Sequence, residues 1–133
     1  MIKNGVHIDG SLYLDDCKNL KSLGNLKSVG RDLHLDDCEN LKSLSENLYI
    51  GGSLSLHGCT SLRELPNGLN ISKDLWLGRC TSLQTLPSGL VVGGDLYDCT
   101  SLKELPSDMK IGGWIFGASD ELKERYKDVY RFI

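Results

Sequence analysis

Five thiols, three imidazoles and a set of paired aspartates are the groups in this chain whose chemistry could define a function. The cysteines stand at Cys17, Cys38, Cys59, Cys80 and Cys99, spaced 21, 21, 21 and 19 residues apart. Thiols at fixed spacing suggest a soft-metal site, disulfides or a nucleophile. Zinc sites and activated thiols need closely placed partners. Here no C-x-x-C occurs, the cysteine count is odd, and His7, His34 and His57 share no register. The sequence contains no G-x-S-x-G, no H-E-x-x-H and no phosphate loop. No catalytic, cofactor-binding or metal-binding residue is assigned, and the chain is read as a non-enzyme. The thiols are expected to be reduced and buried, each acting as a small apolar group with a weak donor; disulfides or a metal are the alternatives.

The elements that position these groups are repeats. Around each cysteine runs the phrase L-x-L-x-x-C-x-x-L-x-x-L, cleanest in LSLHGCTSLRELP (Leu54 to Pro66) and LWLGRCTSLQTLP (Leu75 to Pro87). A period of about 20 to 29 residues with this leucine spacing marks a solenoid. Leu12, Leu33, Leu54, Leu75 and Leu96 begin the phrase, and Leu14, Leu35, Leu56 and Leu77 follow two residues on. That alternation predicts a half-buried strand. Two further leucine slots come after the cysteine, then Pro66, Pro87 and Pro106 in three copies. Too few residues remain before the next strand for a regular helix, so the return limb is expected to be extended or 3₁₀. Gly51-Gly52, Gly93-Gly94 and Gly112-Gly113 close the coils and are read as turn glycines with positive φ. Five to six coils are predicted, formed mostly by parallel β-structure in a single domain.

Three departures from the period stand out. The first repeat, around Gly24-Asn25-Leu26-Lys27, lacks the proline. The fifth is two residues short at GGDLYDC (residues 93–99), which predicts a kink or bulge. The sixth is only a strand, IGGWIFGAS. Met1 to Gly5 form an N-terminal segment, residues 6–117 the repeats, and 118–133 a C-terminal capping helix capped by Ser119 or Asp120. In that helix Leu122, Tyr126, Val129, Tyr130 and Ile133 would share one face. A partner-binding helix with Tyr126 and Tyr130 exposed is the alternative.

The pattern resembles the leucine-rich repeat family, with Cys in the slot where many members carry Asn. C-T-S-L-x-E-L-P is similar to repeats of plant disease-resistance receptors, and the short period is similar to bacterial and phage repeat proteins. The resemblance covers about residues 6 to 117 and implies the α/β solenoid class and a binding role, as an effector or an inhibitor of a host protein.

A binding surface is expected on the strand face. The residue between the two strand leucines points outward: Tyr13, His34, Ser55, Trp76, Tyr97 and, in the last strand, Phe116. Four of these six are aromatic although aromatics make up 7% of the chain. The stripe reads either as interface residues or as a cross-strand ladder that stabilises the sheet. Beside it, Asp15 and Asp36 share one register and Asp16 and Asp37 the next. Like charges across strands are unfavourable, so this flank predicts a basic partner. The alternatives are a Ca²⁺ site or aspartates bonded to local backbone N–H groups.

The proposed site is therefore Tyr13, His34, Trp76, Tyr97 and Phe116 with Asp15, Asp16, Asp36 and Asp37. A formal charge of −3 gives no support for nucleic acid or an anionic membrane. With no signal-peptide pattern and no spanning segment, a cytoplasmic location is expected. Two other functions fit the same features. One is carbohydrate binding by the exposed aromatics. The other is self-association, as a homodimer, through an uncovered first strand at the N-terminal edge.

Overall fold

The computed structural model describes residues 5–133. Of the expected N-terminal segment only Gly5 lies within the described residues. In chain order the strands are β1 (Val6–Ile8), β2 (Leu12–Tyr13), β3 (Leu26–Val29), β4 (Leu33–His34), β5 (Tyr49–Ile50), β6 (Leu54–Ser55), β7 (Asn70–Ile71), β8 (Leu75–Trp76), β9 (Val91–Val92), β10 (Leu96–Tyr97) and β11 (Lys110–Ile111). They stack as a parallel β-solenoid of about five coils. Odd-numbered strands form a six-stranded sheet, and even-numbered strands form a five-stranded sheet. Each coil therefore contributes to two sheets, joined by a tight turn. The return limb ends in a strand because its β-branched slot (Ile8, Val29, Ile50, Ile71, Val92, Ile111) pairs with its own copies in neighbouring coils. The limbs contain no 3₁₀ segment among the described residues.

The core is the stack of equivalent side chains. Leu33, Leu54 and Leu75 are fully buried, as are Leu35 and Leu56, Leu41 and Leu62, Ile50 and Ile71. Each such leucine or isoleucine stabilises the fold by about 1.5–3 kcal/mol, but only when coils above and below cover it. Among the described residues no coil packs on the outer side of the first one. Its Ile8, Leu12, Leu14, Cys17, Leu20 and Leu23 are only partly buried.

The Gly-Gly turns differ from expectation. None of these glycines has positive φ. A Cβ on Gly51 or Gly112 would collide with the carbonyl oxygen of Gly30 or Gly93 in the preceding coil. Close stacking of turns is what requires glycine there. Positive φ instead falls just before each cysteine, at Asp16, Asp37, Gly58, Arg79 and Asp98.

That slot also places the two-residue deletion. Leu96 pairs with Leu75 and Tyr97 with Trp76, while Asp98 shares the positive φ of Arg79. The fifth coil therefore lacks counterparts of Leu77 and Gly78. The β8–β10 pairing keeps its register across this copy. The register shift in the strand pairing falls in the first repeat, between Val6 and His7.

The C-terminal helix is shorter than the sequence suggests. It covers Asp120–Tyr126, with Ser119 as N-cap accepting from the Leu122 amide at 3.2 Å. The chain then turns extended and pairs with Ile115, which bridges to Leu96 on its other side. Ile115 donates to the Arg131 carbonyl at 2.8 Å and accepts from the Ile133 amide at 2.9 Å. A helix running to residue 133 would leave that edge unpaired. Leu122 and Tyr130 are buried as a cap requires, whereas Val129 and Ile133 face solvent. The cap also mimics one more coil chemically. The Tyr126 hydroxyl accepts from the Leu105 amide at 3.1 Å. The Tyr130 hydroxyl accepts from the Met109 amide at 3.1 Å and donates to the Pro106 carbonyl.

Candidate binding face

The even-numbered strands bring the outward residues into one column. Strand register aligns Tyr13, His34, Ser55, Trp76 and Tyr97, and the Leu96–Ile115 bridge carries Phe116 on from Tyr97. The rings lie nearly parallel. Tyr13 and His34 have centroids 4.7 Å apart and planes 18° apart. Trp76 and Tyr97 are 3.9 Å apart at 9°, and Tyr97 and Phe116 are 4.8 Å apart at 14°. Centroid spacing near the strand repeat of about 4.8 Å follows from parallel in-register strands, which hold equivalent side chains in the same orientation. The rings thus form two stacked groups separated by Ser55. Stacking covers their faces and leaves edges to solvent: Tyr13 is 65% exposed and Trp76 38%.

The aspartates beside the column bond to backbone in the next coil. Asp15 Oδ1 accepts from the Asp36 amide at 2.8 Å. Asp36 Oδ1 accepts from the His57 amide at 3.1 Å and from the Ser55 hydroxyl at 2.5 Å. On the other side of the column, Asp32, Asp74 and Asp95 accept from the amides of Ser53, Asp95 and Trp114, each at 2.8 Å. Each acceptor serves a donor one coil ahead, so the carboxylates lock register between coils. Asp16 and Asp37 take positive φ, which a short polar side chain tolerates. Lys18 sits against this flank, 3.6 Å from Asp16 and 3.5 Å from Glu39, and donates to the Asp37 carbonyl at 3.0 Å. Tyr97 donates to Asp95 Oδ2 at 3.0 Å, and the hydrogen bond to that carboxylate raises the phenol's pKa.

Folding also gathers groups that sequence spacing kept apart. The ligand atoms of Asp15, His34 and Asp36 lie within 4.8 Å of one another. His34 belongs to the ring column and the aspartates to the next outward slot, so the grouping arises from neighbouring coils. Trp114 is a second feature the sequence reading missed. It is 40% exposed and occupies the column of Asp95, with the Arg131 guanidinium 5.0 Å from its ring. Anchoring the last copy on its Gly112-Gly113 pair would have placed it there.

The thiols are free, and four of the five are buried. Cys38, Cys59 and Cys80 donate to the carbonyls of Leu14, Leu35 and Leu56 at 3.0, 3.1 and 3.0 Å. Each satisfies the second strand leucine of the previous coil. Cys99 donates forward to the Phe116 carbonyl at 3.6 Å instead. Burial pushes the thiols of Cys80 and Cys99 up to about 11 and raises Cys38 and Cys59 as well. A thiolate is therefore disfavoured at neutral pH in the buried part of the column. Cys17, in the end coil, is only partly buried.

Among the described residues no helix is long and apolar enough to cross a membrane. Comparison with family models, curated proteins and solved structures finds no match for this chain.

Proposed function

We propose that this chain is a protein-binding module of the leucine-rich repeat kind, whose site is the face of the even-numbered strands. The ring column supplies flat, rigid contact area, and the aspartates beside it favour a basic partner. The observation that carries this reading is the stacking itself. Stacking restricts ring rotation before any partner arrives, so little side-chain entropy remains to be lost on binding. Trp and Tyr held this way are the residue types that dominate interface energetics. The bacterial and phage resemblance makes a host protein the partner class, met in the cytoplasm. The test is capture from source-cell lysate by wild type against Trp76→Ala/Tyr97→Ala, with circular dichroism confirming both folds. A protein retained by wild type and lost by the double variant supports the site, whereas equal retention removes it. Binding to a glycan array without any protein partner would favour carbohydrate recognition.

A second reading has its own observation. Val6, Ile8, Leu12, Leu14, Leu20, Leu23 and Leu26, with Ser22, line an open cavity of about 220 Å³ at the first coil. Among the described residues the outer edges of β1 and β2 pair with no strand. Bare edges over an apolar surface favour a homodimer. Sedimentation across a concentration series should then show a dimer that Val6→Lys converts to monomer. A monomer at all concentrations ends this reading.

A further inference from the structure

The ring column is interrupted once, at Ser55. His34, Ser55 and Trp76 are in-register neighbours on β4, β6 and β8. Two strand spacings separate the imidazole from the indole, about 9.6 Å. A single planar group inserted midway would lie about 4.8 Å from each ring. The column itself uses centroid spacings of 3.9 to 4.8 Å. The notch over Ser55 is thus one planar group thick.

Its rim is acidic. Asp36 lies against the notch floor, with the Ser55 hydroxyl and the His57 amide both bonded to Oδ1 and neither to Oδ2. On the opposite side Asp32 Oδ1 accepts from the Ser53 amide, which brings the Asp32 carboxylate beside the notch. Neither the Asp36 nor the Asp32 carboxylate takes part in an ion pair among the described residues. A group that fits must be planar, stack on both faces and carry positive charge at its edge. A guanidinium meets all three conditions. An ammonium has no flat face, and an aromatic ring leaves the carboxylates unused. The chain already shows the pairing within itself, with Arg131 over Trp114 at 5.0 Å.

We propose that the notch over Ser55 receives an arginine side chain of the partner, stacked between His34 and Trp76 with its N–H groups directed at Asp36. This rests on the strand-face reading above and adds the side chain that reading leaves open.

The test uses the full chain and N-acetyl-arginine amide as probe, followed by two-dimensional NMR at the Trp76 indole N–H and the Ser55 amide. The arginine amide should shift both signals, with N-acetyl-lysine amide at least about tenfold weaker. Ser55→Tyr fills the notch with a ring and should weaken the arginine amide by at least about tenfold. Asp36→Asn retains the acceptor oxygen, removes the charge and should weaken it in the same direction, which covers the case of a misfolded Ser55→Tyr. No shift at Trp76 in folded wild type overturns the proposal, as does unchanged affinity in both variants. Equal binding of N-acetyl-phenylalanine amide also overturns it, in favour of a simple aromatic slot. The two levels separate in partner capture. Loss with Trp76→Ala but full retention with Ser55→Tyr removes the notch and keeps the face; retention by both removes the face as well.

Discussion

Replacing Tyr130 with Phe tests whether the C-terminal segment works as a chemical copy of a missing coil. The ring stays and only the hydroxyl is lost. That hydroxyl accepts from the Met109 amide at 3.1 Å and donates to the Pro106 carbonyl. Met109 and Tyr130 are buried, whereas Pro106 is only partly buried, so the Met109 amide is the group that water replaces least easily. An unsatisfied buried backbone group costs about 1–3 kcal/mol. The buried Met109 amide, with a smaller share from the partly buried Pro106 carbonyl, gives an expected loss of about 2–3 kcal/mol. For a chain of this length about 1 kcal/mol moves Tm by roughly 4 °C, so the expected fall is about 8–12 °C. Tyr126→Phe is the internal comparison. Its hydroxyl accepts from the Leu105 amide at 3.1 Å, and its side chain is partly exposed. Its expected cost is about 1 kcal/mol. Urea unfolding followed by circular dichroism gives both values. A Tyr130→Phe variant within about 0.5 kcal/mol of wild type, or no more affected than Tyr126→Phe, would refute the capping argument.

Three further outcomes follow from the same geometry. In native protein one thiol, Cys17, should react quickly with an aromatic disulfide reagent, and the other four only on unfolding; five slow thiols would contradict the open first coil. Stability should fall as pH rises from 9 toward 11 in reducing buffer. The thiols of Cys80 and Cys99 ionise near 9 in the unfolded chain but only near 11 in the folded one, so the unfolded state releases protons first. A urea midpoint that is flat over this window in wild type, or that falls equally in a Cys80→Ala/Cys99→Ala variant, would show that other groups control it. Arg79→Gly should stabilise by about 0.5–1 kcal/mol, because Arg79 has a φ of 57° in a slot where Gly58 serves the neighbouring coil; a destabilised variant would show that the Arg79 side chain contributes more than its backbone strain costs.

The solenoid was legible because a repeat is one-dimensional information. Equal spacing puts equal slots on top of one another, so the leucine columns, the cysteine column and the outward ring column follow from counting. Leu54, Cys59 and Trp76 were assigned their sides by alternation and period alone. What counting could not supply was the bonding between coils. A period says that Asp36 stands above Asp15; it does not say that Asp15 accepts the Asp36 amide, because that depends on which way each backbone donor points. The same limit applied to the deletion, since two alignments of GGDLYDC fit the pattern and only the φ of Asp98 and the Tyr97–Trp76 pairing separate them.

The sequence alone thus determined the stacking direction, the core and the register of the exposed rings, all consequences of a 21-residue period acting on alternating apolar residues. Tertiary structure decided the rest. The second sheet forms because the β-branched slots meet their own copies. The helix stops at Tyr126, and the chain beyond it pairs with Ile115. The acidic flank is held by backbone amides one coil away. Each of these depends on hydrogen-bond directions between segments about 20 residues apart, which exist only after the coils have closed on one another.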